Sequence, residues 1–229
     1  MRIQSRQTTT ERYILSTMPV LYLPLYKRDS GSSGGSFLSD DGYGHVCTVT
    51  GALWTPNGRS FDGIDDYITV PDTVSLRVGS AFSVEAWAKP STQNRDYNKV
   101  VSKNSVAYDL FMGQGTIVAQ KFNFGVYDTT PTSYEVNALA QFAVNQWYHL
   151  LGTFDGTTVT LFIDGISQGT TAFSGTRPNL TSEVNIGCQN ELGTIQRPFI
   201  GIIGGVRIYN RVLSAVEILN NYIATAWRY

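Results

Sequence analysis

The 229-residue chain has few of the side chains that most catalytic and metal sites require. It contains only two histidines, two cysteines and three methionines, and charged residues make up 15% of it. Cys47 and Cys188 lie far apart in sequence, which leaves either two buried thiols or one long-range disulfide. His45 and Cys47 alternate along one candidate strand, but two soft ligands without further partners do not make a zinc site.

Long apolar runs are also missing. No stretch approaches the roughly 20 apolar residues that a membrane-spanning helix needs. Residues 18–26 are the nearest match to a signal peptide, but two prolines interrupt them and Lys27-Arg28-Asp29 follow where small residues are expected. No signal peptide is therefore recognised. The formal net charge of −1 gives no electrostatic reason to expect a nucleic-acid partner or membrane insertion.

Motifs for enzymatic chemistry are absent from the sequence. Nothing matches a Gly-x-Ser-x-Gly elbow, a P-loop or a dinucleotide fingerprint. Glycoside hydrolysis requires two carboxylates at a fixed separation, whereas Glu85 stands alone on its candidate strand, with Ser83 and Trp87 at the alternate positions. His149 is predicted to be a hydrogen-bonded structural residue. We therefore predict that the protein is not an enzyme, with glycoside hydrolase activity as a minor alternative.

Glycine and aromatic residues are plentiful, with 22 glycines and 13 tyrosines, and this balance favours strands and tight turns. Residues 82–88 alternate strictly, placing Phe82, Val84, Ala86 and Ala88 on one face of a strand. Further candidate strands span residues 67–70, 100–103, 108–112, 122–127, 147–154, 159–163, 183–188 and 199–209. The pattern predicts an all-β, antiparallel chain.

Four regions follow from composition. Residues 1–17 form a polar, mildly basic N-terminal arm, and residues 18–29 are predicted to contain the first strand. Residues 30–44 are predicted to form a Gly/Ser loop. Together with the continuous run of strands that follows, residues 18–229 are predicted to form a single domain.

One helix is predicted near the C-terminus. Ser214 and Glu217 have the spacing of a capping box, in which each side chain bonds the other residue's amide. Val216, Leu219 and Ile223, with Ile218, recur at helical spacing and are predicted to form the apolar face.

Several segments in order resemble the LamG-like jelly-roll domains of the concanavalin A-like lectin/glucanase superfamily. They are Gly58-Arg-Ser-Phe-Asp-Gly-Ile-Asp-Asp-Tyr-Ile-Thr-Val-Pro71, Phe82-Ser-Val-Glu-Ala-Trp87, Asn145-Gln-Trp-Tyr-His149, Leu161-Phe-Ile-Asp-Gly165 and Gly205-Val-Arg-Ile-Tyr-Asn-Arg-Val-Leu-Ser214. The resemblance implies a two-sheet antiparallel jelly-roll sandwich closed by one short C-terminal helix. Because one fold serves many functions, it implies function only by analogy.

The resemblance also implies one structural calcium ion, since many domains of this type carry one. Asp62, Asp65 and Asp66 are the candidate metal ligands, because calcium prefers hard oxygen ligands from loops. The alternative is that Asp62 and Asp65 cap turns while Asp66 is solvated. The chain departs from the family at Gly204-Gly205, where an acidic residue is common, and this removes one expected ligand.

Glycan binding needs exposed aromatic rings with polar groups beside them. The candidate ligand-binding residues are Tyr97 with Asn94 and Asp96, then Tyr127, then Tyr134. The alternative is that these tyrosines cover the edge of the core.

The predicted function is a non-catalytic recognition domain of the LamG-like type that contacts a glycan or a protein on a surface. The alternative is a structural or assembly protein, such as a virion decoration, fibre or surface-layer subunit. In that case the chain forms a homo-oligomer or joins a larger assembly through residues 1–17. Either function predicts an extracellular or particle-surface location.

Overall fold

Strands dominate the protein, as the period-2 alternation predicts. The computed structural model describes residues 18–28, 35–92, 97–104, 107–113, 120–178, 181–191 and 193–229. The strands are β1 (Leu21–Pro24), β2 (Gly35–Leu38), β3 (Val46–Thr50), β4 (Leu53–Thr55), β5 (Gly58–Asp62), β6 (Tyr67–Val70), β7 (Phe82–Pro90), β8 (Asn98–Ser102), β9 (Tyr108–Met112), β10 (Phe122–Tyr127), β11 (Ser133–Asn137), β12 (Tyr148–Phe154), β13 (Thr158–Ile163), β14 (Ile166–Ala172), β15 (Val184–Ile186), β16 (Gln189–Glu191), β17 (Thr194–Gln196) and β18 (Ile200–Tyr209). A 3-10 helix spans Val74–Leu76, and helix α1 spans Ala215–Ala226.

Two eight-stranded antiparallel sheets build the sandwich. Sheet 1 has the order β14-β13-β12-β7-β18-β5-β4, and β1 also pairs with β18. Sheet 2 has the order β11-β10-β9-β8-β15-β6-β3-β2, and β16 and β17 form a separate hairpin. Half of the strand pairs in these two sheets join strands that are not consecutive in the chain, so residues from remote segments meet on each face. This is the predicted two-sheet jelly-roll sandwich.

The core lies between the two sheets. Phe82, Val84, Ala86 and Ala88 of β7 all point into it, which confirms the predicted alternation. The Phe82 ring contacts rings from sheet 2, with its centroid 5.1 Å from that of Tyr108. The remaining β7 positions face the opposite side of sheet 1, which helix α1 covers.

Helix α1 has the predicted capping box. The Ser214 hydroxyl accepts from the Glu217 amide, and the Glu217 carboxylate accepts from the Ser214 amide at 2.8 Å. The predicted apolar face is wrong, however: Ile218 is buried, whereas Val216, Leu219 and Ile223 are exposed. The reason is the polar surface of sheet 1 beneath the helix, which Asn221 and Thr225 contact through hydrogen bonds.

The N-terminal predictions have mixed outcomes. The strand predicted in residues 18–29 is β1, which pairs with β18 from Leu21 opposite Ile208. The Gly/Ser loop predicted over residues 30–44 contains a strand, since Gly35–Leu38 pairs with β3. Residues 1–17 lie outside the described part of the chain. No helix in that described part is long and apolar enough to cross a membrane.

Candidate functional site

Glu85, the only acidic residue on the strand where a glycosidase would need two, lies buried between sheet 1 and helix α1. Its Oε1 lies 2.5 Å from Arg207 Nη1 and 3.0 Å from His149 Nε2. Its Oε2 accepts hydrogen bonds from Tyr209 Oη at 3.2 Å and from Asn221 Nδ2 at 2.8 Å. All four partners hold the carboxylate in the interior of the structure.

The electrostatics of Glu85 agree with a structural role. Burial alone would raise its pKa, but the charge of Arg207 and the hydrogen bond from His149 outweigh burial and lower the pKa to about 2. A catalytic acid needs a raised pKa instead. His149 is thus the structural residue that the sequence predicts.

The acidic turn between β5 and β6 brings the three predicted metal ligands together. Oxygen atoms of Asp62, Asp65 and Asp66 all lie within 4.8 Å of one another. Asp62 also caps the turn by accepting from the Ile64 amide at 2.8 Å, as the alternative expects. Asp66 is not solvated, because it is buried and accepts from the Asp62 amide at 2.8 Å. Burial and the adjacent charges of Asp62 and Asp65 raise its pKa.

Side-chain packing explains why Gly204 and Gly205 stand where an acidic residue is common in the family. Both glycines lie in β18 where its register against β7 shifts, between Ile203 and Val206. A Cβ atom on Gly204 would lie 2.5 Å from Tyr229 Oη. The Tyr229 ring in turn stacks on Trp87, with 4.5 Å between centroids. An acidic side chain at Gly204 would therefore displace Tyr229.

The predicted ligand-binding residues do not form an exposed aromatic platform. Asn94 and Asp96 lie outside the described residues. Tyr97 is half-buried and stacks on Phe111, with 5.9 Å between centroids. Tyr134 is half-buried and packs on Phe173 at the edge of the core. Tyr127 is buried, although the prediction places its ring at the surface.

Tyr127 belongs instead to a polar cluster on the outer face of sheet 2. Its hydroxyl donates to Asp109 Oδ2 at 3.0 Å, and the same oxygen lies 2.5 Å from Lys99 Nζ. Lys99 and Asp109 are both fully buried, and the Lys99 ammonium lies 4.3 Å from the centroid of the Phe111 ring. Burial and the charge of Asp109 raise the pKa of Tyr127 far above its usual range. The Tyr127 side chain is therefore part of this buried cluster and not of an exposed surface.

The two cysteines are free and buried, which settles the choice that the sequence leaves open. Burial raises the pKa of each thiol to about 12. The Cys47 thiol donates to the His45 carbonyl at 3.4 Å.

The acidic turn is the only cluster of three or more metal-ligand side chains within the described part of the chain.

An exposed aromatic residue that the sequence analysis missed stands at a different place. Tyr43 is 60% exposed, and its ring stacks on His45 with 5.6 Å between centroids and 14° between planes. Beside it lies a cleft of about 730 Å³, lined by Tyr43, His45, Val46, Thr73, Val74 and Ser75. A second cleft of about 710 Å³ also includes Tyr43, together with Asp41 and Asn210. Tyr43 thus borders two concave surfaces.

Hydrogen bonds fix the loop that carries Tyr43. Asp41 accepts from the Tyr43 amide at 2.8 Å and from the Tyr22 amide at 2.9 Å. His45 Nε2 lies 3.0 Å from the Val20 carbonyl, so the ring beneath Tyr43 is also held. The sequence signal is the order Gly42-Tyr43-Gly44, because both glycines have positive φ angles and expose the side chain between them.

Polar groups lie at the base of the larger cleft. The hydroxyls of Thr73 and Ser75 lie 2.9 Å apart, and each also contacts the His45 ring, at 3.4 and 3.3 Å. An exposed aromatic ring with polar groups beside it is the combination that glycan binding needs. Tyr43 has this combination, whereas Tyr127 is buried and Tyr97 and Tyr134 are half-buried.

The two sheets define a jelly-roll sandwich. The chain belongs to the concanavalin A-like lectin/glucanases superfamily, whose family model matches residues 62–219. This confirms the family that the sequence motifs resemble. No curated protein matches the chain in sequence.

Solved structures share the fold at low sequence identity. The binding domain of Paraclostridial Mosquitocidal Protein 1 aligns with 92% of this chain at 13% identity and a TM-score of 0.70. The receptor binding domain of botulinum neurotoxin type G aligns with 91% of this chain at 13% identity and a TM-score of 0.66. The chain spans about half of each toxin domain, 53% and 52% respectively.

A third structure matches over nearly its full length. Domain 4 of AbnA, a GH43 extracellular arabinanase from Geobacillus stearothermophilus solved in complex with arabinotriose, aligns over 97% of its own length and 89% of this chain. The identity is 18% and the TM-score is 0.66. At such identities the likeness shows the fold alone.

Proposed function

We propose that this protein is a non-catalytic domain that binds a glycan on a surface, with Tyr43 as the stacking platform. The observation that carries the proposal is the exposed Tyr43 ring, held flat against His45 beside a cleft of about 730 Å³. Tyrosine offers an apolar ring face together with a polar tip, which suits a sugar ring. The Thr73 and Ser75 hydroxyls then orient the sugar by hydrogen bonding.

The comparisons support binding rather than catalysis. Two of the similar structures are the binding domain of a mosquitocidal protein and the receptor binding domain of a neurotoxin, and the third is an arabinanase domain in complex with arabinotriose. The buried position of Glu85 agrees, since its carboxylate is occupied by four protein partners. An extracellular or particle-surface location follows from this proposal, because glycan ligands of this kind are displayed there.

A glycan array tests the proposal with matched aromatic variants. Wild-type protein and Trp227→Ala are expected to bind the same neutral oligosaccharides, because Trp227, the residue after helix α1, is 75% exposed and lines neither cleft. Tyr43→Ala is expected to weaken binding roughly 5- to 160-fold, since one stacked aromatic ring is worth about 1–3 kcal/mol in the analogous case of a nucleic-acid base. Wild-type protein that binds no glycan on the array, or Tyr43→Ala that binds equally well, would overturn it.

We also propose that the acidic turn holds one structural calcium ion. Asp62, Asp65 and Asp66 supply hard oxygen ligands close together, and their mutual repulsion is what a divalent cation offsets. Bound there, calcium would tie β5 to β6 and stabilise the fold.

Docking through residues 1–17 stays a prediction. Deleting them and measuring the solution mass by light scattering tests it, since an assembly held by the arm dissociates on deletion.

A further inference from the structure

A small pocket at one end of the sandwich is lined by cationic side chains. It has a volume of about 240 Å³, and its lining includes Arg77, Gly79, Ser80, Lys103, Ala107 and Arg177. These residues come from three separate segments: the stretch after the 3-10 helix, the β8–β9 connection and the loop that follows β14. The fold thus brings three positive charges together from remote parts of the sequence.

One carboxylate serves two of these cations. Asp72 Oδ2 accepts from Arg77 Nε at 2.7 Å, and Asp72 Oδ1 lies 3.3 Å from Lys103 Nζ. Lys103 also donates to the Ser182 carbonyl at 2.7 Å. The Lys103 side chain is 2% exposed, and burial together with the charges of Arg77 and Arg177 lowers its pKa, although Asp72 opposes the shift.

Arg177 has no such partner. Within the described residues no carboxylate lies within salt-bridge distance of its guanidinium, which donates from Nη1 to the Ala107 carbonyl. Its Nε atom is buried without a hydrogen-bond acceptor. The guanidinium lies 4.9 Å from the centroid of Phe82 and 5.6 Å from that of Phe154, so the rings fix its plane without accepting its protons. Burial lowers its pKa to about 10, which still leaves it charged at neutral pH.

The local charge is therefore unbalanced. Arg77, Lys103 and Arg177 carry three positive charges against the one negative charge of Asp72. Buried charges are normally paired or hydrogen-bonded, because desolvation makes an uncompensated charge costly. A planar guanidinium and an ammonium beside a cavity match the geometry of a carboxylate or sulfate.

We propose that this pocket binds the oxyanion group of a ligand, either a carboxylate or a sulfate. Arg177 and Lys103 supply positive charge, and Ser80 belongs to the same lining. The pocket does not include Tyr43, so oxyanion binding here is independent of the proposed glycan platform. The ligand class follows from charge and size alone.

An NMR titration of ¹⁵N-labelled full-length protein tests the pocket. Sodium sulfate is compared with sodium chloride at equal ionic strength, following the amides of Gly79, Ser80 and Ala107. Saturable shifts with sulfate and not with chloride are expected. Acetate and glucuronate, each added separately with glucose as the neutral control, distinguish a preference for carboxylate from one for sulfate.

Two variants and a control make the result specific. Arg177→Gln and Arg77→Gln are each expected to weaken sulfate binding at least fivefold, whereas Lys27→Gln, an exposed cation outside the pocket, is expected to bind like wild type. Arg77 is 40% exposed, so its variant decides the matter if Arg177→Gln does not fold. Shifts that chloride reproduces, or equal weakening in Lys27→Gln, would overturn the pocket. Sulfate binding without any glycan binding would leave the pocket standing while the Tyr43 proposal fails.

Discussion

Glu85 of β7 and Arg207 of β18 lie directly opposite each other in the sheet register, and the buried Glu85 carboxylate forms an ion pair with the half-buried Arg207. The two residues are 122 positions apart in sequence, so only the folded sheet joins them. His149, Tyr209 and Asn221 complete the network from β12, β18 and helix α1. The pair thus connects the centre of sheet 1 to the helix that covers it.

Glu85→Gln is expected to destabilise the protein by about 3–5 kcal/mol, because it removes the charge of a buried carboxylate and leaves the half-buried Arg207 without its counter-charge. Urea unfolding measures the free energy change. Glu191→Gln is the matched control, since Glu191 is exposed and its loss should cost less than about 0.5 kcal/mol. A similar cost for both variants would show that the ion pair contributes little.

Acid should remove the stabilisation that Glu85 provides. Its folded-state pKa of about 2 lies below the ordinary value of 4.5, so the contribution is complete above the unfolded pKa and is lost as pH falls from about 4.5 towards 2. The shift corresponds to about 3 kcal/mol. Urea unfolding of wild type across this range should show the loss, and Glu85→Gln should show a flatter profile. Parallel profiles would contradict the assignment.

Calcium should stabilise the acidic turn if it binds there. At a concentration 100 times its Kd, a ligand specific for the folded state adds about 2.7 kcal/mol to the free energy of unfolding. Thermal unfolding with calcium, with magnesium and with a chelator measures the effect. Asp65→Asn is expected to abolish it, whereas Asp40→Asn, an exposed acid outside the cluster, should retain it. No change in Tm with calcium would reject the metal site.

Gly152→Ala should damage the contact between the sheets. A Cβ atom on Gly152 of β12 would lie 2.2 Å from Phe124 Cγ and within 2.5 Å of two further ring atoms. Because Phe124 is fully buried, the ring cannot move into solvent, and we expect a loss of about 3 kcal/mol from overpacking. Gly79→Ala, where a Cβ atom would meet nothing within 4 Å, should be close to neutral in the same unfolding measurement.

Local sequence patterns predicted the strands and the helix more reliably than they predicted which side chains are exposed. The alternation of residues 82–88 and the capping box of Ser214 and Glu217 depend on neighbours in sequence, and the structure contains both. The buried face of helix α1 depends on what sheet 1 presents to it. The network around Glu85 comes from residues up to 136 positions away, so the helix turns Ile218 and Asn221 inward.

The candidate site shows the same limit. The acidic turn could be predicted because its three aspartates are adjacent in sequence. The burial of Tyr127 could not be predicted, because the partner of its hydroxyl, Asp109, lies on the neighbouring strand β9, 18 positions away. The pocket at Arg177 could not be predicted from the sequence, since its cations come from segments that only the sandwich topology brings together.

The burial of both cysteines has a practical consequence for site-specific chemistry. Cys47 and Cys188 are the only thiols in the chain, and neither is accessible or easily ionised in the folded protein. A single cysteine introduced by Val46→Cys, at a half-exposed position of the Tyr43 cleft, would then be the one thiol open to maleimide. A fluorophore can be attached there without removing the native cysteines, and its emission would report directly on occupancy of the cleft.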